Sequence, residues 1–172
     1  MRRVLIGAVL VLAALAQVTV APLFPLSAAI VDFPLAALVM LFVFDGPRGV
    51  MLALPAAALL VGFASDRSPA LLLVAYLPLV PLGAYLAGTP LPMNRYTQMA
   101  ITGVAAGLGA RTVLVLAAVA HGAEPGMLAL VRQVLFPGAL LDLALLSSLY
   151  VPFRLVGWQP QRISLQRGGF PG

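Results

Sequence analysis

The chain predicts an all-α, polytopic membrane protein: a compact bundle of six transmembrane helices with both termini cytoplasmic. Three observations carry this. Of 172 residues, 62% are hydrophobic and only 9% charged, at a mean hydropathy of +1.08, where a soluble domain carries about 25% charged residues. The apolar stretches recur at lengths near the ~20 residues a helix needs to cross a ~30 Å hydrocarbon core. Finally, Arg2, Arg3, Arg48, Arg95, Arg154, Arg162 and Arg167 fall on one side of a six-span topology, and Arg67 alone lies in the loops of the other. That asymmetry places both termini inside. There is room for one membrane domain, residues 1–157, and a polar C-terminal tail, residues 158–172.

The first span, 4–20, follows Met1-Arg2-Arg3. It has the basic start of a signal peptide, but its apolar run exceeds the ~7–15 residues of an h-region, which favours a retained span. The second, 26–44, carries Asp32 in its first third, with Pro34 just after it. An Asp there caps a helix whose first turn tolerates proline, and it is also available for an ion pair. Asp45-Gly46-Pro47-Arg48-Gly49 is a tight turn. The third span, 50–64, contains Pro55. The fourth, 69–87, opens after Ser68 as N-cap and carries Pro78 and Pro81, which predict a kink. The fifth, 97–120, follows the longest hydrophilic connection, and the sixth, 127–151, is expected to bend at Pro137-Gly138. Trp158 suits the membrane–water interface.

The fifth span is more than an anchor. Gly103 and Gly107 form a small-xxx-small stripe, a candidate face for helix packing or for a partner. Arg111 lies one turn beyond. A guanidinium at membrane depth costs at least ~2.5–3.5 kcal/mol, so it belongs against protein or water. On the expected topology Arg111 lies roughly 14 Å below the outer end of its helix and Asp142 roughly 22 Å, a gap that a long side chain and a kink can close. Arg132 is roughly 8 Å deep and Asp32 starts the second span at the same side. Two links are therefore expected, Arg111–Asp142 and Arg132–Asp32. The alternative is that each arginine finds backbone carbonyls or headgroups.

No catalytic set is legible. His121 has no second His and no Cys with which to hold a metal. Ser147 and Ser148 lack a base and a Gly-x-Ser-x-Gly elbow, and no Gly-rich phosphate loop occurs. The five carboxylates are scattered. No metal and no cofactor are expected. The net charge of +5 comes from arginines at span ends, unmixed with aromatics, which speaks for anionic headgroups and against nucleic acid. Without cysteine there is no disulfide framework.

The order of features resembles the rod shape-determining protein MreD family. The resemblance is carried by Leu15-Ala16-Gln17 near the end of the first span and Val31-Asp32-Phe33-Pro34 at the start of the second. It continues with the turn holding Arg48, then Gly62-Phe63-Ala64-Ser65-Asp66 and the 71–86 run with Tyr76 and Tyr85. It closes with Phe136-Pro137-Gly138-Ala139 through Tyr150-Val151-Pro152-Phe153-Arg154. Arg67-Ser68-Pro69 stands where that family has glycines. The resemblance implies a non-enzymatic scaffold of the cell-elongation and peptidoglycan-synthesis machinery (the elongasome), multi-pass in the bacterial cell inner membrane. It would bind an MreC-like bitopic scaffold protein, and through it a class B transpeptidase, its glycosyltransferase partner and MreB. The Asp66 turn would then be a second candidate partner face. The competing reading is a substrate-binding S component of an energy-coupling factor vitamin transporter, for which Gln17, Asp66, Tyr76 and Arg132 are the available polar groups.

Overall fold

The computed structural model describes residues 2–23, 26, 28–65, 67–88, 94–123 and 126–155, and among these the elements are helical. They are α1 (Arg2–Thr19), α2 (Phe33–Asp45), α3 (Pro47–Ser65), α4 (Pro69–Tyr76), α5 (Leu79–Gly88), α6 (Arg95–Ala120), α7 (Met127–Leu130) and α8 (Phe136–Leu155), with a π-helical turn, Val131–Leu135, joining the last two. Five stretches are long and apolar enough to cross a membrane: Ile6–Leu23, Pro47–Ser65, Pro69–Leu86, Arg95–Ala120 and Leu128–Leu155. The expected tail, 158–172, and Trp158 lie outside the described residues.

The centre of the bundle is α2. Every residue from Pro34 to Phe44 is buried, as befits a helix with no polar face at all. At 13 residues it is about 20 Å long, too short to cross alone. Helices α1, α3, α5, α6 and α8 all pack on it. Its start is set by Asp32, whose side chain accepts the Leu35 N–H at 2.9 Å, with Pro34 in the first turn. The expected span from residue 26 is therefore corrected. Leu26 and Ala29 pair as an isolated bridge, and residues 28–32 are non-helical. A capping Asp with a following proline marks a helix start that hydropathy alone reads through. Gly46, at φ +80°, adopts the left-handed conformation that lets α3 begin one residue after α2 ends.

Successive passes alternate in direction. Val9 of α1 lies with Phe44 and Phe153 around one crevice, and Gln17 reaches Phe33, so α1 runs against α2 and α8 runs with α2. The start of α1 and the end of α8 thus share one end of the bundle. The fourth pass breaks into α4 and α5 at Leu77-Pro78, where Pro78 supplies no N–H. Gly83 of α5 sits against the ring of Phe42, where a Cβ would overlap it.

Candidate functional site

The polar heart of the bundle lies between α6 and α8. Arg111 Nη1 donates to Asp142 Oδ2 at 2.5 Å and Nη2 to Oδ1 at 2.9 Å, a two-pronged pairing that satisfies both carboxylate oxygens. Arg111 Nη2 also reaches the Ile30 carbonyl at 3.4 Å. The two side chains are only 10% and 4% exposed. The expected partners are thus brought together, and the non-helical segment before α2 contributes an additional acceptor. Irregular backbone at such depth is tolerated where protein encloses it; here Ala28 N–H also bonds the Gln133 carbonyl at 3.2 Å.

Glycine makes this closeness possible. A Cβ on Gly107 would overlap the Asp142 carboxylate, and one on Gly138 would overlap the Arg111 guanidinium. Gly103 does the same for Leu146 and also faces Val39. The Gly103/Gly107 stripe is consequently used inside the bundle, with α8 and α2 against it. Of its two expected roles, helix packing or partner face, the geometry is that of helix packing. A π turn immediately precedes α8. Phe136 N–H bonds Val131 O, five residues back, and the added residue carries the chain past Pro137, which has no N–H to give.

A second polar group lies at the start of α2. Tyr76 Oη donates to Asp32 at 3.1 Å from Oδ1 and 3.2 Å from Oδ2, while Gln17 Oε1 accepts the Phe33 N–H at 2.9 Å. Ile30, whose carbonyl Arg111 reaches, lies two residues before Asp32, so the two groups adjoin. Arg132 belongs to neither. It is exposed on the π turn, and the expected Arg132–Asp32 link is replaced by the cap to Leu35 and the bond from Tyr76. Depth along an axis carried no information about azimuth, and on the π turn Arg132 faces outward. Asp66 lies outside the described residues.

Beside Asp32 opens a cavity of about 220 Å³. Gln17, Asp32, Ser65, Arg67 and Tyr76 give it polar walls, and Ile30, Val61 and Leu72 give it apolar ones. Arg67 is exposed at its edge. The arrangement can hold a polar solute or ordered water. It offers no activated nucleophile: Ser65 Oγ donates to Val61 O at 2.6 Å. Ser147 and Ser148 likewise donate to the backbone carbonyls of Leu143 and Leu145. His121 Nδ1 lies 2.7 Å from Ala117 O on an exposed turn. Among the described residues, no three of His, Asp and Glu converge as a metal site would require.

Two partners escaped the sequence reading, the Ile30 carbonyl and the Tyr76 hydroxyl. The first has no side-chain signal. Tyr76 carried one, as the lone hydroxyl in an otherwise aliphatic run, 69–76. Comparison with protein-family models, with curated proteins and with solved structures finds no match to this chain.

Proposed function

We propose that this protein is a non-catalytic inner-membrane scaffold of the bacterial cell-elongation machinery, of the rod shape-determining protein MreD kind. It acts by binding an MreC-like single-span protein through membrane helices. That partner in turn engages a class B transpeptidase and its glycosyltransferase, with MreB on the cytoplasmic side. The observation that carries the reading is how the motifs behind the resemblance meet. Gln17 from the first motif accepts the N–H of Phe33 from the second, and Asp32 of that motif caps α2. The intramembrane charges serve the bundle itself, Arg111 on Asp142, which suits a structural subunit better than a transport pathway.

On a six-pass reading, Arg2, Arg3, Arg48, Arg95 and Arg154 fall at the end shared by the start of α1 and the end of α8, and the positive-inside rule makes that end the cytoplasmic one. With the glycine stripe occupied, the partner surface is the shallow apolar groove, about 260 Å³, that α1 and α8 form over α2. Ala13, Ala16 and Ala37 line it, and small side chains admit a transmembrane helix closely. The test is co-purification from native membranes. A single-span periplasmic scaffold protein is expected to elute with the wild type and to be lost with Ala16→Trp. Its absence from the wild-type eluate refutes the reading.

The cavity beside Asp32 favours a second reading, the vitamin-binding S component, because it gathers Gln17 and Tyr76 around one space. At about 220 Å³ it is smaller than the ~300–1,000 Å³ typical of small-molecule sites. A vitamin retained through detergent purification would nonetheless select this reading over the first.

A further inference from the structure

At the end of the bundle where α2 and α8 finish and α6 begins, Phe44, Asn94, Arg95, Tyr96, Tyr150 and Arg154 line a cleft of about 420 Å³. Its floor is an aromatic pile. Phe44 stacks on Phe153 with centroids 5.7 Å apart and lies 6.3 Å from Tyr150, and Tyr96 meets Tyr150 edge-on at 5.5 Å. Ser147 Oγ gives its proton to Leu143 O, so the 2.7 Å contact between Tyr96 Oη and Ser147 Oγ has the tyrosine as donor, which fixes that ring.

The rim is rich in donors. Asn94 Oδ1 is occupied by the Thr97 N–H at 2.7 Å and the Thr97 hydroxyl at 2.9 Å, leaving the amide NH₂ as its remaining polar function. Arg95 is engaged within the protein, and its guanidinium presents five N–H donors in a planar fork. Arg154 is exposed on the last turn of α8. Asp45 is likewise engaged within the protein and is not among the lining groups. Beside Arg154 the surface turns apolar at once, with Val151 57% and Leu155 80% exposed.

Donors at the rim, rings below and an aliphatic flank match the sections of an anionic phospholipid. We propose that the cleft binds its headgroup phosphate, with Arg95 and Arg154 on the phosphate oxygens, the tyrosines under the glycerol region and the acyl chains along α8. Two guanidiniums disfavour a choline headgroup, whose ammonium would sit among like charges. Arginine is the suited residue, because its planar fork matches phosphate oxygens in pairs. This site is independent of the scaffold reading.

The experiment is native mass spectrometry of the full-length protein released from vesicles of phosphatidylcholine with and without phosphatidylglycerol. The wild type is expected to retain phosphatidylglycerol in preference. Arg154→Gln and Arg95→Gln should each lower retention about tenfold, as loss of a charge-assisted bond implies, and Arg154→Lys should restore part of it. Helical circular dichroism confirms that each variant is folded, and Arg154→Gln, at an exposed position, keeps the test open if Arg95→Gln is not. Equal retention of the two lipids, or retention indifferent to Arg154, overturns the proposal. Arginine-dependent binding of inorganic phosphate by the protein in zwitterionic detergent, without lipid preference, assigns the cleft to a soluble anion and overturns the lipid assignment.

Discussion

Replacing Asp142 with alanine strips Arg111 of both strong acceptors and leaves it the Ile30 carbonyl at 3.4 Å. The guanidinium is nearly sealed from solvent, so water cannot take over. Breaking one side of a buried pair costs about 3–5 kcal/mol, mostly from the charge left behind. Removing both charges, as in Arg111→Met with Asp142→Ala, also removes the stranded charge and is expected to cost less than either single change. The coupling energy in the double-mutant cycle should then be about 2–4 kcal/mol. That is well above the ~0.6 kcal/mol average, and the ~1.7 kcal/mol maximum, for interhelical hydrogen bonds in membranes. Sodium dodecyl sulfate titration in mixed micelles, followed by circular dichroism, gives the four free energies. Additivity within about 0.5 kcal/mol would refute an enclosed pair.

Four further outcomes follow from the same packing. Gly107→Ala and Gly138→Ala should each destabilise by about 1–3 kcal/mol, since the added methyl meets groups pinned by the ion pair. Gly109→Ala, with open space around it, should be neutral or stabilising by up to about 1 kcal/mol; equal effects at all three positions would contradict this account of the stripe. Asp32→Ala removes the α2 cap and the acceptor of Tyr76 together, an expected loss of about 2–3 kcal/mol in the same titration. Arg132→Gln should stay within about 0.5 kcal/mol and show no coupling to Asp32. Thr102 Oγ1 is buried without a hydrogen-bond partner, so Thr102→Val should hold or raise stability, by up to about 1–3 kcal/mol; a loss would mean the hydroxyl has a partner.

What the sequence made legible is what hydropathy and local chemistry encode. The long apolar helices fall close to their expected places, and the break at Pro78 and the distortion beside Pro137-Gly138 occur where proline removes a donor. Arg111 demanded shelter and Asp142 was the carboxylate near its depth. The rest depended on azimuth and on which element occupies the middle. Nothing in 33–45 announces a hub except the absence of any polar face, a signal that a uniformly apolar chain dilutes. The stripe at Gly103 and Gly107 was readable as a site of close approach, but not as one already filled by Leu146 and Asp142. Arg132 failed as a partner for Asp32 because it lies exposed on the π turn, and depth along an axis says nothing of azimuth. The Ile30 carbonyl belongs to backbone, which no side-chain pattern reports.

Helix α2 is enclosed by α1, α3, α5, α6 and α8, and the buried charges are sheltered by the same helices. Carbene footprinting of the unmodified protein in bilayers, using a lipid-soluble diazirine and peptide-level mass spectrometry, tests this enclosure most directly. An enclosed α2 requires heavy labelling at Leu52 and Phe63 of α3, which are 79% and 81% exposed, and essentially none from Leu35 to Phe44. Labelling of that central segment at a level comparable to α3 would contradict it.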